Sequence, residues 1–287
     1  MSERQQAEAL GRVRRQVDEV LGRFLADRRA ELAGLDPDAA LLADEIVRVV
    51  EAGGKRIRPA LCVWAFRAAR GADRDEQILR AGAAIELLHT SALVHDDVMD
   101  RDVERRGEPA THVRFAKEAP AGVEADGFGT AAAVLVGDLA LVLSERLMRT
   151  CGFPGERLDT AMTRFDRMRV EMAAGQFLDV AGSERRDRVR ALKTASYTAE
   201  GPVLIGAALA GADAATEGAL GVFGRLVGEA FQLRDDVLDR APEVASAARI
   251  DDLLSRAART LDGAPLRPEG KGALVAIADA LRFEGAA

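Results

Sequence analysis

The sequence predicts an all-α protein, a single domain of about ten helices around one core, and three observations carry that prediction. Ala, Leu, Arg, Glu and Asp dominate the 287 residues, which are 48% apolar but only 4% aromatic. That composition forms helices readily and supplies a sizeable core. Apolar residues recur at i, i+3, i+4 and i+7 along most of the chain. No segment shows the strict alternation of a half-buried strand, and no fixed-period repeat is present.

The elements follow in order. Leu10, Val13, Val17, Val20, Leu21, Phe24 and Leu25 form the stripe of an amphipathic helix over 5–31. Asp36-Pro37-Asp38 marks a turn, and 39–52 is helical until Gly53-Gly54 stops it. Lys55-Arg56-Ile57-Arg58 reads as a short basic loop, with Pro59 suited to open a helix that ends near Arg70. A long, largely apolar helix covers 75–100. The polar, basic stretch 101–112 reads as a loop, and the Gly/Ala-rich stretch 118–131 as the lead into a buried helix over 131–150. Helical patterns then cover 155–181, 188–211, 214–239, 246–262 and 270–283.

Bulk properties narrow the function. With 47 acidic and 40 basic residues, the net charge of −7 argues against a nucleic-acid binder held by a basic face. Cys62 and Cys151 sit in apolar helical contexts and read as small core residues of a reducing compartment. The polar start Met1-Ser2-Glu3-Arg4 has no apolar signal core, and no run approaches the roughly 18 uninterrupted apolar residues of a membrane span. The expectation is a cytoplasmic protein without a transmembrane segment.

Two acidic clusters stand out. Asp96, Asp97 and Asp100 follow the apolar run Ala92-Leu93-Val94. On a helix Asp96 and Asp100 share one face, with Asp97 about 100° round, and like charges so close repel. One such cluster could be a solvated helix end. A second copy, Asp235, Asp236 and Asp239, again behind an apolar run, argues against that. Hard carboxylate oxygens suit Mg²⁺, which combines few protein ligands with water and phosphate oxygens, whereas zinc and iron usually draw on His or Cys. Glu86-Leu87-Leu88-His89 has the Glu-x-x-His spacing of di-iron bundles, but those need two such pairs and none is found at His95 or His112.

Cations appear where phosphates would project. Lys55 and Arg58 follow a helix-ending Gly-Gly that permits close backbone approach. Arg105 and Arg106 lie just past the first cluster, where their forks could fold back over it. Lys193-Thr194 adds a cation and a hydroxyl near a helix start. Each of these alone could equally be solvated surface.

Together they resemble one family. Gly53-Gly54-Lys55-x-x-Arg58-Pro59, Glu86-Leu87-Leu88-His89 and Asp96-Asp97-x-x-Asp100-x-x-x-x-Arg105-Arg106-Gly107 are similar to the trans-isoprenyl diphosphate synthases, or polyprenyl synthetases. Gly137-Asp138, Gly175-Gln176-x-x-Asp179, Lys193-Thr194 and Gly228-x-x-Phe231-Gln232-x-x-Asp235-Asp236-x-x-Asp239 continue the family order. The resemblance, covering about 40 to 239, implies an isoprenoid synthase helical bundle with a central active-site cavity. It implies condensation of isopentenyl diphosphate with an allylic diphosphate, and a homodimer. Asp96, Asp97, Asp100, Asp235, Asp236 and Asp239 would hold three Mg²⁺ ions. Gly54, Lys55, Arg58, His89 and Arg106 would bind isopentenyl diphosphate, and Arg105, Lys193, Thr194 and Gln232 the allylic diphosphate. Asp96, Asp97, Asp100, Lys193, Asp235 and Asp236 form the implied catalytic set. Leu88, Thr90 and Ser91, just upstream of the first cluster, would set product length. The small Ser91 implies room beyond C15, with C20 geranylgeranyl diphosphate favoured and C25 or longer next.

The chain departs from the family after Asp239, where relatives carry a Gly-Lys-rich loop, and its link at 183–188 is short. Two readings of this remain: a true truncation that weakens the site, or stretches 183–188 and 239–242 that flank segments absent from this sequence. The second is favoured, since both coincide with places where lid loops close such sites. Two other functions compete. A non-catalytic regulatory subunit would have lost aspartates from a cluster, and both are complete. A class I terpene cyclase would replace the second cluster and would not need Lys55 and Arg58.

Overall fold

Helical periodicity is realised as eleven α-helices among the described residues of the computed structural model, namely 3–70, 73–183, 185, 189, 191–239 and 244–282. They are α1 (Glu3–Leu35), α2 (Ala40–Glu51), α3 (Ile57–Ala69), α4 (Asp75–Asp100), α5 (Thr111–Lys117), α6 (Ala125–Arg149) and α7 (Gly155–Val180). A π-helix (Ala191–Glu200) leads into α8 (Gly201–Ala210), followed by α9 (Ala214–Asp239), α10 (Val244–Thr260) and α11 (Pro268–Asp279). Strands β1 (Glu104–Arg105) and β2 (Glu108–Pro109) pair antiparallel between α4 and α5. Of the two stretches read as flanking absent segments, residues 184, 186–188 and 240–242 lie outside the described residues.

Three local departures from the sequence reading have physical causes. Residues 101–112 are more than a loop, because Arg106 and Gly107 both take positive φ, 57° and 82°, and close a two-residue hairpin. Helix α6 begins at Ala125, earlier than the apolar pattern suggests, because Glu124 caps it by accepting from the Asp126 and Gly127 amides at 2.9 and 2.6 Å. It is also only partly buried, leaving Val134, Leu135 and Val142 exposed. By length and hydropathy α6 is the one helix among the described residues apolar enough to cross a membrane, yet 44% of that stretch is buried inside the protein. The pattern over 188–211 resolves into the π-helix and α8, a change of winding that apolar spacing does not reveal.

Contacts divide the chain into two compact units. One consists of Met1–Arg14, Ile57–Gly82 and Cys151–Ala287. In it α3 packs on α8 and α11, α7 on α8 and the π-helix, and α9 on α8, α10 and the π-helix. Trp64, Phe66, Phe165 and Phe223 are fully buried at its centre, and both cysteines are buried free thiols. Gly206 on α8 allows the closest approach, since a Cβ there would stand 2.2 Å from the Cys62 carbonyl oxygen on α3. The other unit consists of Arg15–Arg56 and Ala83–Thr150, with α6 packed on α2 and α5 and with Leu21, Ile46, Ile85 and Leu87 fully buried.

The Gly206 contact sets a stability prediction. Gly206→Ala should lower the unfolding free energy by roughly 1–3 kcal/mol through overpacking. Gly218→Ala, on the open side of α9 with nothing within 4 Å of its Cβ, should be neutral or stabilising. Denaturant midpoints of the two variants check the contrast.

Candidate active site

In the second unit the last turns of α4 carry the first acidic cluster. Asp96 is half-buried, Asp97 is only 3% exposed, and Asp100 is exposed. The helix stops when Arg101 adopts φ 59°, and the Asp102 amide donates back to the Asp97 carbonyl at 3.0 Å. The chain then enters the β1–β2 hairpin, whose register sets Arg105 opposite Glu108 and Arg106 at the turn. From β1 the Arg105 guanidinium pairs with the Asp97 carboxylate and, at 3.2 Å, with Asp102. Burial pushes the Asp97 carboxyl above its ordinary range, while Arg105 pulls the other way.

Arg106 turns back on the Gly53-Gly54 turn. Gly54 has φ +156°, and both Arg106 Nη atoms lie 3.4 Å from where a Cβ on Gly54 would stand. A Cβ at Gly54 would touch that guanidinium and crowd Arg56 Nη1 at 3.1 Å, on a backbone φ that side chains rarely adopt. Lys55 follows, exposed. Leu93, Asp97, Arg105, Arg106, Arg48 and Pro109 enclose much of a hollow of ≈ 20 Å³, enough for one water-sized molecule.

Two features of this unit were missed in the sequence. Arg56, read as a loop cation, is buried with φ 50° and donates to Glu86 at 2.7 Å, Asp18 at 2.8 Å and the Val50 carbonyl at 2.7 Å. It ties the Gly54–Lys55 loop to α4, so Glu86 is a structural counter-ion to that loop. The available signal was a lone Glu inside the apolar run from Ala83 to Leu88. His95, next to the cluster, packs its ring on Gly137, where a Cβ would come within 2.1 Å of Nε2. That nitrogen is 3.2 Å from the Val134 carbonyl oxygen and 3.6 Å from an Asp138 carboxylate oxygen. The Gly137-Asp138 motif thus seats the residue preceding Asp96.

Upstream on α4, Leu88, Thr90 and Ser91 are all buried, with the Thr90 hydroxyl donating to the Glu86 carbonyl at 3.0 Å. His89 is half-buried between them.

The first unit holds the remaining sequence-derived residues. Arg58, in the first turn of α3, stacks on the Tyr197 ring at 4.5 Å and donates to the Thr198 hydroxyl at 2.9 Å. It is thereby fixed to the π-helix that carries Lys193 and Thr194. Gln232 and Asp235 are half-buried on α9, with Asp236 and Asp239 in its last turn. The side chains of Lys193, Thr194, Asp236 and Asp239 lie outside the described part of the structure.

No group of three or more His, Cys, Asp or Glu side chains among the described residues forms a ready-made metal site. The donors of the first cluster are carboxylate oxygens at one helix end, a set that fits Mg²⁺ completing its shell with water and phosphate oxygens.

Comparison with known proteins agrees with this geometry. The Polyprenyl synthetase family model matches residues 39–256. A geranylgeranyl diphosphate synthase of Methanosarcina mazei is 36% identical over 216 residues, 72% of this chain and 61% of that protein. A geranylfarnesyl diphosphate synthase of Aeropyrum pernix is 31% identical over 218 residues, 72% of this chain and 64% of that protein. The matched region thus spans a little over three fifths of the length of these curated relatives. A crystal structure of geranylgeranyl pyrophosphate synthase from Corynebacterium glutamicum, complexed with isoprenyl diphosphate and magnesium, superposes with a TM-score of 0.84 at 26% identity, covering 92% of this chain and 96% of that one. The helical bundle, the order of its motifs and a family match over most of its length show that this chain belongs to the polyprenyl synthetase family.

Proposed function

We propose that this chain is a Mg²⁺-dependent trans-prenyltransferase that condenses isopentenyl diphosphate with an allylic diphosphate to give a longer all-trans prenyl diphosphate. The observation that carries the reading is that Arg105 pairs with the Asp97 carboxylate while Arg106 lines the same hollow and reaches the Gly53-Gly54 turn. Cations and carboxylates are arranged there as a metal–diphosphate substrate would need. The family match at 39–256 draws on segments of both contact units, which supports one polyprenyl synthetase domain over 1–287.

Each residue then has a role. Gly54, Lys55, Arg58, His89 and Arg106 seat the diphosphate of isopentenyl diphosphate. Arg105, Lys193, Thr194 and Gln232 hold the allylic diphosphate. Asp96, Asp97, Asp100, Asp235, Asp236 and Asp239 would hold three Mg²⁺ ions, which would supply charge neutralisation for the departing pyrophosphate. The allylic C–O bond breaks with its electron pair leaving on pyrophosphate, and Arg105 and Lys193 stabilise that charge. The alkene of isopentenyl diphosphate attacks the allylic carbon, and loss of a proton to pyrophosphate restores a double bond. Buried Leu88, Thr90 and Ser91 line the route of the growing chain, and the small Ser91 favours C20 geranylgeranyl diphosphate or somewhat longer. Relatives named for geranylgeranyl, geranylfarnesyl and farnesyl products match at comparable identity, so the length rests on Ser91 alone.

The working form is a cytoplasmic homodimer. Exposed apolar residues support the second copy: Val134, Leu135 and Val142 on α6, and Val170, Phe177 and Val180 on α7, the last three sharing one face of their helix.

Incubation with Mg²⁺, isopentenyl diphosphate and each allylic primer should yield products of C20 or longer, and EDTA should abolish turnover. Silence with every primer would refute the assignment. Asp97→Asn should lower kcat by about 10²-fold or more. Ser91→Phe should shift products to shorter chains, and an unchanged profile rejects Ser91 as the floor. Leu135→Glu and Phe177→Glu should shift the sedimentation of a dimer towards monomer.

A further inference from the structure

Glu45, on α2, lies outside every motif discussed so far. It is fully buried, with 0% exposure, and its carboxylate is crowded by donors. Arg48 Nε and Nη2 approach its two oxygens at 2.9 and 2.6 Å as a bidentate fork. The Thr111 hydroxyl donates to it at 2.8 Å, and the Arg114 guanidinium completes the set. Arg48 Nη2 also donates to the Pro109 carbonyl at 3.1 Å. Pro109 ends β2, Thr111 opens α5, and Arg114 lies one turn further along α5. Every partner except Arg48 therefore belongs to the chain leaving the hairpin, and Arg48 reaches that chain through a carbonyl.

The hairpin is held at its entry strand by Arg105 on Asp97 and Asp102, and at its exit strand by the Glu45 cluster. Its two strands are two residues each, and the Ala110 amide closes it by donating to the Val103 carbonyl at 3.1 Å. Its turn holds Arg106 in the left-handed region, which a non-glycine residue adopts only when its surroundings enforce it. We infer that Glu45 and Arg48 are positioning residues: from α2 they clamp the exit strand of the hairpin and so fix where Arg105 and Arg106 meet diphosphate.

This role rests on the prenyltransferase reading for its kinetic consequence but not for its structural one. Arg48→Gln breaks the bridge while leaving Glu45 its partners Thr111 and Arg114, so it should fold, whereas Glu45→Gln removes the shared carboxylate from two half-buried guanidinium groups at once. In Arg48→Gln, amide hydrogen exchange over 103–110 should quicken about tenfold. The KM for isopentenyl diphosphate should rise about tenfold, with kcat changing far less. Arg48→Lys keeps a positive charge beside Glu45 but cannot both fork that carboxylate and reach Pro109, and should fail to restore KM. Arg29→Ala on α1, which removes an exposed ion pair to Asp44 of α2, should leave both readouts as in the parent protein. Unchanged exchange in Arg48→Gln overturns the clamp. Faster exchange with an unchanged KM overturns the positioning role, and full rescue by lysine overturns the fork. If the parent protein turns over nothing, the prenyltransferase reading fails, and exchange alone decides the clamp.

Discussion

A carboxylate with 3% exposure at the end of a helix is the constraint around which the second unit is arranged. Asp97 is taken out of water, which disfavours its charge, and the Arg105 guanidinium offsets that cost. Removing the guanidinium would leave the buried carboxylate without that partner. The pair therefore dictates that the chain reverse immediately after α4, because Arg105 must return to Asp97 from only eight positions on. The left-handed Arg101, the tight hairpin and the left-handed Arg106 all serve that reversal.

The reversal has a second result. It brings Arg106 against Gly54, so the loop after α2 and the loop after α4 share one surface. The buried Arg56–Glu86 pair holds the first of these loops and the Glu45–Arg48 pair holds the second. Exposed or half-exposed cations are thus supported by ion pairs whose carboxylates are buried. Such support holds these cations in place, so less ordering would be needed for them to bind an anion. Arg58 is held in the same manner in its own unit, stacked on Tyr197 and bonded to Thr198.

The sequence was most legible where apolar periodicity was long. Helices expected over 75–100 and 214–239 are observed as Asp75–Asp100 and Ala214–Asp239, each ending in an acidic cluster. Short elements were not legible in the same way. Helix α5 has seven residues, too few for periodicity to speak, and the hairpin depends on the φ of Arg106 and Gly107. The π-helix changes winding without changing composition. Among candidate site residues, the exposed and half-exposed cations and carboxylates are proposed from spacing and family pattern. The buried supports cannot be, because Glu45, Arg48, Arg56 and Glu86 look like ordinary helix and loop charges until their partners, distant in sequence, are known. Burial of a charge is a tertiary fact, and a sequence pattern reports it only as an isolated charge in an apolar run.

The central claim is that the cluster at the end of α4 and the hairpin beside it form a metal-dependent diphosphate site. Calorimetric titration with inorganic pyrophosphate, with and without Mg²⁺, tests it without requiring turnover. The account predicts binding that needs Mg²⁺ and weakens about tenfold or more in Asp97→Asn. Binding of equal strength without Mg²⁺, or unaffected by that substitution, would contradict it.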